Sequence, residues 1–273
     1  MGVRLSKFDR KDSNKLFFRS LPALVRRKIF SYLNATDLMI LSFTSKSLEL
    51  FINNNLLWRD LCQKEFGLTE LAKPLPEFIT FRDMYLALDD AANLFNVDPC
   101  LGIQKFKQIG IIEDNPTTVA MFIKNCKQLS RDQLGVYLAH REDILLEWIQ
   151  LYDFKFPYIS QALRIFLSLV SIPNSGQIIR SFIRAFAYRY HECRKPPFSK
   201  DTTYLLAITT LMLRVDLECP KIRNNMSKRE FIKILRSIDP TIKDKDYLVG
   251  VYDDTYMNSR MFTKYNCDIL TCA

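Results

Sequence analysis

Apolar residues recur at the three- and four-residue spacing of an α-helix along almost the whole of this chain. No segment shows the alternation of a half-buried strand, and no Asn-Gly pair marks a tight hairpin. We therefore expect an all-α protein. The chain has 273 residues, of which 48% are hydrophobic and 25% charged. That composition supplies enough apolar surface for one large core or two small ones, and it argues against a disordered chain.

The seven cysteines are scattered without a Cys-x-x-Cys pair, and the two histidines, His140 and His191, are not spaced to ligate a metal with them. A structural zinc site is therefore not expected, and we assign no metal. Seven glycines leave little material for a phosphate-binding loop, so we expect no bound nucleotide or other cofactor. The apolar runs are too short to cross a bilayer and no secretory signal is present, so we expect a cytoplasmic protein with reduced thiols.

The net charge of +9 is concentrated near the N-terminus, where residues 1–30 hold nine Lys or Arg against two Asp. Residues 1–20 form a basic arm. It could be simply solvated, or it could bind acidic phospholipid or nucleic acid, and we rank the three possibilities in that order. No nucleic acid is expected, since no groove-reading motif accompanies the charge. Residues 1–6 fit the myristoylation pattern at Gly2. The basic cluster would supply the second signal for peripheral attachment to an endomembrane or the plasma membrane.

Residues 21–67 have the pattern of three short helices. Ser20 can cap the first helix, with Pro22 in its opening turn, and Thr36 can cap the second. The third carries the run Leu-Trp-Arg-Asp-Leu-Cys and closes near Gly67. Three short helices make a thin core, so apolar side chains remain for a partner to cover, each worth roughly 1.5–3 kcal/mol when buried.

The order of the motifs in this segment resembles an F-box: a Leu-Pro start, a Tyr-Leu-x-x-x-Asp-Leu middle and the Leu-Trp end. The resemblance implies that the segment docks onto the Skp adaptor, which bridges to a cullin in an SCF ubiquitin ligase. The residues that match the docking positions of the family are Leu21, Pro22, Ile29, Leu33, Leu38 and Trp58. The alternative is a helical hairpin with ordinary core positions, which explains the leucines but not the order of the motifs.

Residues 68–94 are predicted to form a linker and a connecting helix. Pro74 and Pro76 mark an elbow, because proline does not fit inside a helix. The apolar residues that follow at helical spacing are Phe78, Phe81, Tyr85 and Leu88. We expect this helix to pack against one of the two domains and to limit their relative movement.

A second resemblance begins at Phe95 and covers residues 95–262, with residues 263–273 as a C-terminal tail. Blocks such as residues 119–123 and 161–167 follow in the order of the Sec-seven domain, which acts on ARF-type small GTPases. The resemblance implies an α-helical superhelix with an apolar groove that takes the switch regions of the GTPase. A loop beside that groove carries the catalytic glutamate of the family.

The loop of the family reads Leu-Pro-Gly-Glu-Ala-Gln, and residues 172–177 match it here with Ser175 in the position of the glutamate. A carboxylate there repels the β-phosphate of the nucleotide and competes for its magnesium, whereas a neutral hydroxyl cannot. The groove is changed as well, because the family's Asn-Thr-Asp becomes Arg-Val-Asp. The positions that the resemblance assigns to the groove are Gln177, Ile179, Leu205, Ile208, Leu211, Met212, Arg214, Asp216 and Met226.

An F-box followed by a Sec-seven domain is the order found in the F-box only protein 8 family, which this chain resembles. The resemblance implies a substrate-recognition subunit of an SCF ligase whose second domain binds an ARF-family GTPase, with no intrinsic catalysis of its own. One alternative is a weak or active guanine-nucleotide exchange factor for ARF, whose F-box controls its turnover. Another is a helical scaffold for an unrelated partner.

Overall fold

The computed structural model describes residues 21–68, 73–218, 225–240, 242 and 244–259. Regular secondary structure in these residues consists of fourteen α-helices and no strand, so the expectation of an all-α protein is confirmed. The described part of the chain divides into two compact units, one ending at Asp89 and the other beginning at Asp90. Within it, no helix is long and apolar enough to cross a membrane, and no three His, Cys, Asp or Glu side chains are grouped to hold a metal ion. The basic arm, with Gly2, and the C-terminal tail lie outside the described residues.

The helices of the first unit are α1 (Ala23–Phe30), α2 (Ala35–Thr44), α3 (Lys46–Ile52), α4 (Asn55–Phe66) and the start of α5 (Phe81–Phe95). The sequence predicted three helices before the linker, whereas the structure has four. Ser45 is the reason, because its extended backbone ends α2 and its hydroxyl accepts a hydrogen bond from the Leu48 N–H to begin α3. The cap of α2 is Asn34, whose side chain accepts from the Asp37 N–H, and not Thr36.

Trp58 forms the centre of the first unit's core. Its side chain is fully buried, and its indole Nε1 donates a hydrogen bond to the Ile52 carbonyl at 2.7 Å. The ring centres of Trp58 and Tyr85 lie 5.2 Å apart, and the Tyr85 hydroxyl donates to the buried carboxylate of Glu65. α4 ends at Gly67, which takes the left-handed conformation that commonly closes a helix. The first half of α5, the predicted connecting helix, therefore belongs to this core.

The second unit contains, in the described residues, the end of α5 and nine further helices: α6 (Pro99–Gln108), α7 (Pro116–Asn125), α8 (Arg131–His140), α9 (Glu142–Gln150), α10 (Ile159–Leu169), α11 (Gly176–Arg194), α12 (Lys200–Glu218), α13 (Lys228–Ile238) and α14 (Lys245–Ser259). α6 and α7 each start with a proline, and Asp98 or Asn115 caps the first turn. α13 starts with a capping box between Ser227 and Glu230. Local sequence thus fixes where these three helices begin.

A cluster of aromatic side chains fills the core of the second unit. Phe186 of α11 stacks on Phe166 of α10 with ring centres 5.1 Å apart, and Phe154 contacts Phe186 edge-on at 5.3 Å. All three side chains are buried. Such pairs add to the burial of apolar area and hold α10 and α11 together on their inner faces. The outer faces of α11 and α12 take no part in this aromatic cluster.

Candidate functional sites

α1 is fastened to the rest of the first unit by one face. Phe30 is buried, and its ring centre lies 5.2 Å from that of Phe51 on α3. Arg27 forms a two-pronged ion pair with Asp60 of α4, with Nε–Oδ2 and Nη2–Oδ1 distances of 2.9 and 2.6 Å. Arg26 places its guanidinium 4.7 Å from the centre of the Phe51 ring. These contacts orient the opposite face of α1 toward solvent.

The outward face of α1 is mostly apolar, with the exposed Lys28 as its charged residue. Leu24 is 78% exposed, and Val25, Ile29 and Tyr32 are exposed as well. Pro22 directly precedes the helix and is also exposed. We call these five apolar residues the α1 face. A contiguous set of exposed apolar side chains on one short helix is typical of a surface that a partner covers.

The residues that the sequence assigned to Skp docking do not share one environment. Those that reach the surface fully or in part are Pro22 and Ile29, which are exposed, and Leu21 and Leu33, which are half-buried. Leu38 and Trp58 have no accessible surface. The expectation that these two side chains touch the adaptor is therefore corrected, because packing between the helices of the first unit uses both completely.

In the second unit, the loop that precedes α11 rests directly on the backbone of α8. A β-carbon at Gly135 would lie 1.7 Å from the carbonyl oxygen of Ser171 and 3.4 Å from Cδ of Pro173. The Ser171 N–H donates to the Arg131 carbonyl at 3.2 Å, which holds the same stretch to the start of α8. A side chain at position 135 would prevent this approach, so the glycine determines where the loop and Ser175 lie.

Ser175 is the residue immediately before α11. Its backbone N–H donates to the Pro173 carbonyl at 2.8 Å, and its hydroxyl makes no capping bond. The sequence has no Asp or Glu between Asp153 and Glu192. Glu192 lies near the far end of α11, about 24 Å from its start at the rise of an α-helix. The loop and the beginning of α11 therefore carry no carboxylate.

α11 and α12 run antiparallel, and side-chain contacts between them fix their register. The Tyr188 hydroxyl donates to the Asp201 carboxylate at 3.1 Å. Burial, followed by this hydrogen bond, raises the pKa of Tyr188 above its usual value. One turn closer to the loop, the Arg184 guanidinium lies 5.3 Å from the centre of the Tyr204 ring. In this contact region, a step toward the start of α11 therefore corresponds to a step toward the end of α12.

Arg180 and Ile208 lie one helical turn beyond Arg184 and Tyr204 on their respective helices, and Gln177 and Met212 lie one turn further. Met212 is 52% exposed, Ile208 is half-buried, and both polar side chains on α11 are exposed. The result is an open strip that is apolar on α12 and polar on α11. We call it the α11–α12 groove and define it as Gln177, Arg180, Arg184, Tyr204, Leu205, Ile208 and Met212.

Arg214 does not face this groove. Its side chain is only 14% exposed, and its Nε donates to Oε1 of Glu218 at 2.8 Å. It lines a cavity between α10, α12 and α14 together with Ser160 and Arg164. The expectation that Arg214 belongs to the groove is therefore corrected, because position 214 lies one turn after the buried Thr210 on the inward face of α12.

Asp216 and Met226 are tied to each other. The Asp216 carboxylate accepts a hydrogen bond from the Met226 N–H at 2.5 Å, and the Met226 carbonyl accepts from the Tyr252 hydroxyl at 2.9 Å. Both backbone groups of Met226 are thus held, one by α12 and the other by α14. Asp216 makes a structural bond inside the second unit, and the half-buried Met226 side chain lies just before α13.

Sequence reasoning missed three members of the groove, namely Arg180, Arg184 and Tyr204. The two arginines stand four residues apart on α11, and that helical spacing was the available signal. Of the remaining assigned positions, Ile179 is half-buried and Leu211 is buried. The groove is therefore narrower on its apolar side and more cationic than the sequence suggested.

Two family models match this chain. One, described as F-box-like, matches residues 18–64, and the other, the Sec7 domain, matches residues 85–259. F-box only protein 8 from Homo sapiens is 33% identical over 244 residues, which cover 87% of this chain and 75% of that protein. The protein of the same name from Bos taurus gives the same values. The chain belongs to the F-box only protein 8 family.

Relatives outside the F-box only protein 8 family match over less of the chain. Brefeldin A-inhibited guanine nucleotide-exchange protein 2 from Arabidopsis thaliana is 33% identical over 175 residues, which cover 62% of this chain and 10% of that protein. The crystal structure of the Sec7p catalytic domain is 29% identical with a TM-score of 0.58, over 63% of this chain and 95% of that one. The structure of a Sec7 domain bound to ARF1-GDP and brefeldin A has a TM-score of 0.60 at 24% identity. The match covers 64% of this chain and 92% of that one, and it shows the fold alone.

The two candidate surfaces of this F-box only protein 8 family member lie in different matched regions. The α1 face falls within the F-box-like match, and the α11–α12 groove falls within the Sec7 match, as does the loop that carries Ser175. Each of the two matched regions of this chain therefore contains one of the candidate surfaces.

Proposed function

We propose that this protein is a substrate-recognition subunit of an SCF ubiquitin ligase, and that its Sec7 domain binds an ARF-family small GTPase without releasing its nucleotide. The observation that carries the proposal is that the loop at Ser175 and the start of α11 have no carboxylate, while Met212 on α12 is 52% exposed. A carboxylate about 4 Å from a phosphate charge interacts by about 4 kcal/mol at an effective dielectric of about 20, which is equivalent to roughly a thousandfold in rate. Without that charge, the groove retains the means to bind but loses the repulsion that expels nucleotide.

The α1 face supports the ligase half of the proposal. Its five apolar residues are held outward by the inward contacts of Phe30 and Arg27. Burial of each large side chain against the Skp adaptor would contribute roughly 1.5–3 kcal/mol, so a few of them suffice for a stable complex. The cullin would be reached through that adaptor.

Co-purification of the Skp adaptor with the full chain tests this half. Leu24→Asp places a charge on the most exposed residue of α1 in this face and is expected to abolish co-purification. Val97→Asp is the matched control, because Val97 is 79% exposed and lies in the second unit. Retention of the adaptor by the Leu24 variant would remove the ligase proposal.

Binding of the full chain to ARF1 loaded with GDP tests the other half. Met212→Asp is expected to weaken binding at least about tenfold, because it leaves a charge in a desolvated contact. Met121→Asp is the control, since Met121 is 50% exposed on α7 and differs from Met212 only in its location. Equal loss in the two variants would contradict the assignment of the groove.

We also propose a cytoplasmic location, with the basic arm of residues 1–20 available for peripheral contact with an acidic membrane. Myristoylation of Gly2 remains a prediction from the sequence pattern. Mass spectrometry of the N-terminal peptide from eukaryotic cells tests it, with Gly2→Ala as the control, and an unmodified Gly2 would leave only the charge for membrane contact.

A further inference from the structure

The side of the α11–α12 groove that α11 supplies is cationic. Arg180 and Arg184 are both exposed, and α11 has no acidic residue before Glu192. Among the described residues, neither guanidinium is ion-paired with a carboxylate. Like charges four residues apart on a helix repel each other weakly, and an anionic group placed between them removes that repulsion.

The two arginines are arranged around the apolar strip. The Arg184 guanidinium packs on the Tyr204 ring at 5.3 Å, which limits where the charge can lie. Arg180 bends toward the start of α11, where its Nη2 lies 3.7 Å from the position that a β-carbon on Gly176 would take. One charge thus lies toward the start of α11, and the other lies over Tyr204 in the second turn of α12.

We propose that Arg180 and Arg184 are specificity residues, and that they select a partner segment that carries a carboxylate beside an apolar side chain. This inference rests on the proposed function and names the chemistry that the bound GTPase presents at the groove. A guanidinium binds a carboxylate through two parallel hydrogen bonds, which the ammonium group of a lysine cannot reproduce. The apolar side chain of the segment would pack on Ile208 and Met212. A segment with Lys in place of the acidic residue would be repelled.

A protein segment fits this surface better than a lipid headgroup or a nucleic acid does. Met212 is 52% exposed whereas Ile208 is half-buried, so the apolar strip offers a small area that suits one inserted side chain. Opposite charges across an interface mainly increase specificity and the rate of association. The pair therefore acts on partner choice, while the apolar strip supplies the affinity.

The test measures the affinity of the full chain for ARF1 loaded with GDP, at low and at high salt. The variant Arg180→Glu/Arg184→Glu is expected to bind at least about tenfold more weakly than the native chain at low salt, with the difference shrinking at high salt. The control is Arg229→Glu/Lys233→Glu on α13. Its residues have the same spacing, are also exposed and give the same change in net charge, and it is expected to bind as the native chain does.

A rescue experiment separates a specific contact from a general change of charge. Each carboxylate of the ARF1 switch regions is replaced in turn by Lys and tested against the Glu/Glu variant. Recovery of binding by one replacement identifies the partner of the arginine pair, since a double-mutant cycle isolates their interaction.

The outcomes are distinct for the inference and for the function on which it rests. If Met212→Asp loses binding while Arg180→Glu/Arg184→Glu binds like the native chain, the specificity role is overturned and the proposed function stands. If the native chain does not bind ARF1 at all, both fail. Equal losses in the α11 variant and the α13 control would also overturn the inference.

Discussion

Gly135 lies so close to Ser171 that a β-carbon on the glycine would be 1.7 Å from the serine carbonyl oxygen. No pair of such atoms approaches to that distance, so any side chain at position 135 displaces the loop. Because Ser175 follows Ser171 by four residues, the contact with α8 helps to determine where Ser175 lies. The site depends on a residue far from it in the sequence.

The first prediction concerns this contact. Gly135→Ala is expected to lower the free energy of unfolding by about 1–3 kcal/mol, the usual cost of overpacking, and to reduce the affinity for ARF1-GDP. Urea denaturation and a binding titration measure the two effects. Gly176→Ala is the control for the stability measurement, because the nearest neighbour of its β-carbon is Arg180 Nη2 at 3.7 Å. The account of the loop would be wrong if the two variants behaved alike.

A second prediction separates the core of the first unit from its docking face. Trp58→Phe removes the donor to the Ile52 carbonyl, so we expect a loss of about 1–3 kcal/mol in the free energy of unfolding, with Skp binding kept by the folded protein. Leu24→Asp is expected to show the reverse, with binding lost and stability nearly unchanged. Thermal denaturation beside co-purification measures both, and a shared loss of stability would contradict the division.

The sequence predicted the all-α class and the end of α4 near Gly67, because helical spacing and a closing glycine are local signals. It did not distinguish the exposed Leu24 from the buried Trp58, because both are apolar residues of the kind found in a core. Their difference arises from tertiary contacts, since the Arg27–Asp60 ion pair turns Leu24 outward and the Ile52 carbonyl receives the buried indole. Neither contact produces a periodic pattern that can be recognised in the sequence.

A third prediction concerns pH. Burial, and then the charge of Glu65, raises the pKa of the Cys62 thiol from 9.0 to about 12. The folded thiol stays protonated where the unfolded one ionises, so its contribution to stability is complete below about pH 9 and is lost as the pH rises toward 12. We expect the free energy of unfolding to fall across that window, and to fall less in Cys62→Ala. Urea denaturation at a series of pH values measures the slopes, and identical slopes would contradict the assignment.

A fourth prediction concerns the bonds to Met226. Tyr252→Phe removes the donor to its carbonyl, and we expect a loss of about 0.5–1.5 kcal/mol in the free energy of unfolding. Asp216→Asn removes the charge that accepts from its N–H and is expected to cost more, since bonds to charged groups are stronger. Because both bonds hold one residue, the double variant should lose less than the sum of the single losses. If the two losses in the free energy of unfolding simply add in the double variant, the two bonds do not act together on Met226.

The groove shows what a motif can and cannot predict. Ser175 and Gly176 were assigned to the loop from the order of residues in its motif, which can be read without knowledge of the tertiary structure. Arg214 was assigned to the groove by its place in a motif, but one helical turn from Thr210 puts it on the inward face. Arg184 was missed because its role appears only when the antiparallel register of α11 and α12 is known.

The central claim is that the Sec7 domain binds without exchange, and one measurement addresses it most directly. Release of fluorescent GDP from ARF1 is followed in the presence of the full native chain, with formation of the complex recorded in the same sample. Ser175→Glu runs beside it, because a carboxylate at that position restores the missing repulsion. We predict that the native chain forms the complex and leaves the release rate at that of ARF1 alone. Acceleration of release by the native chain would contradict the account and show that exchange here needs no glutamate.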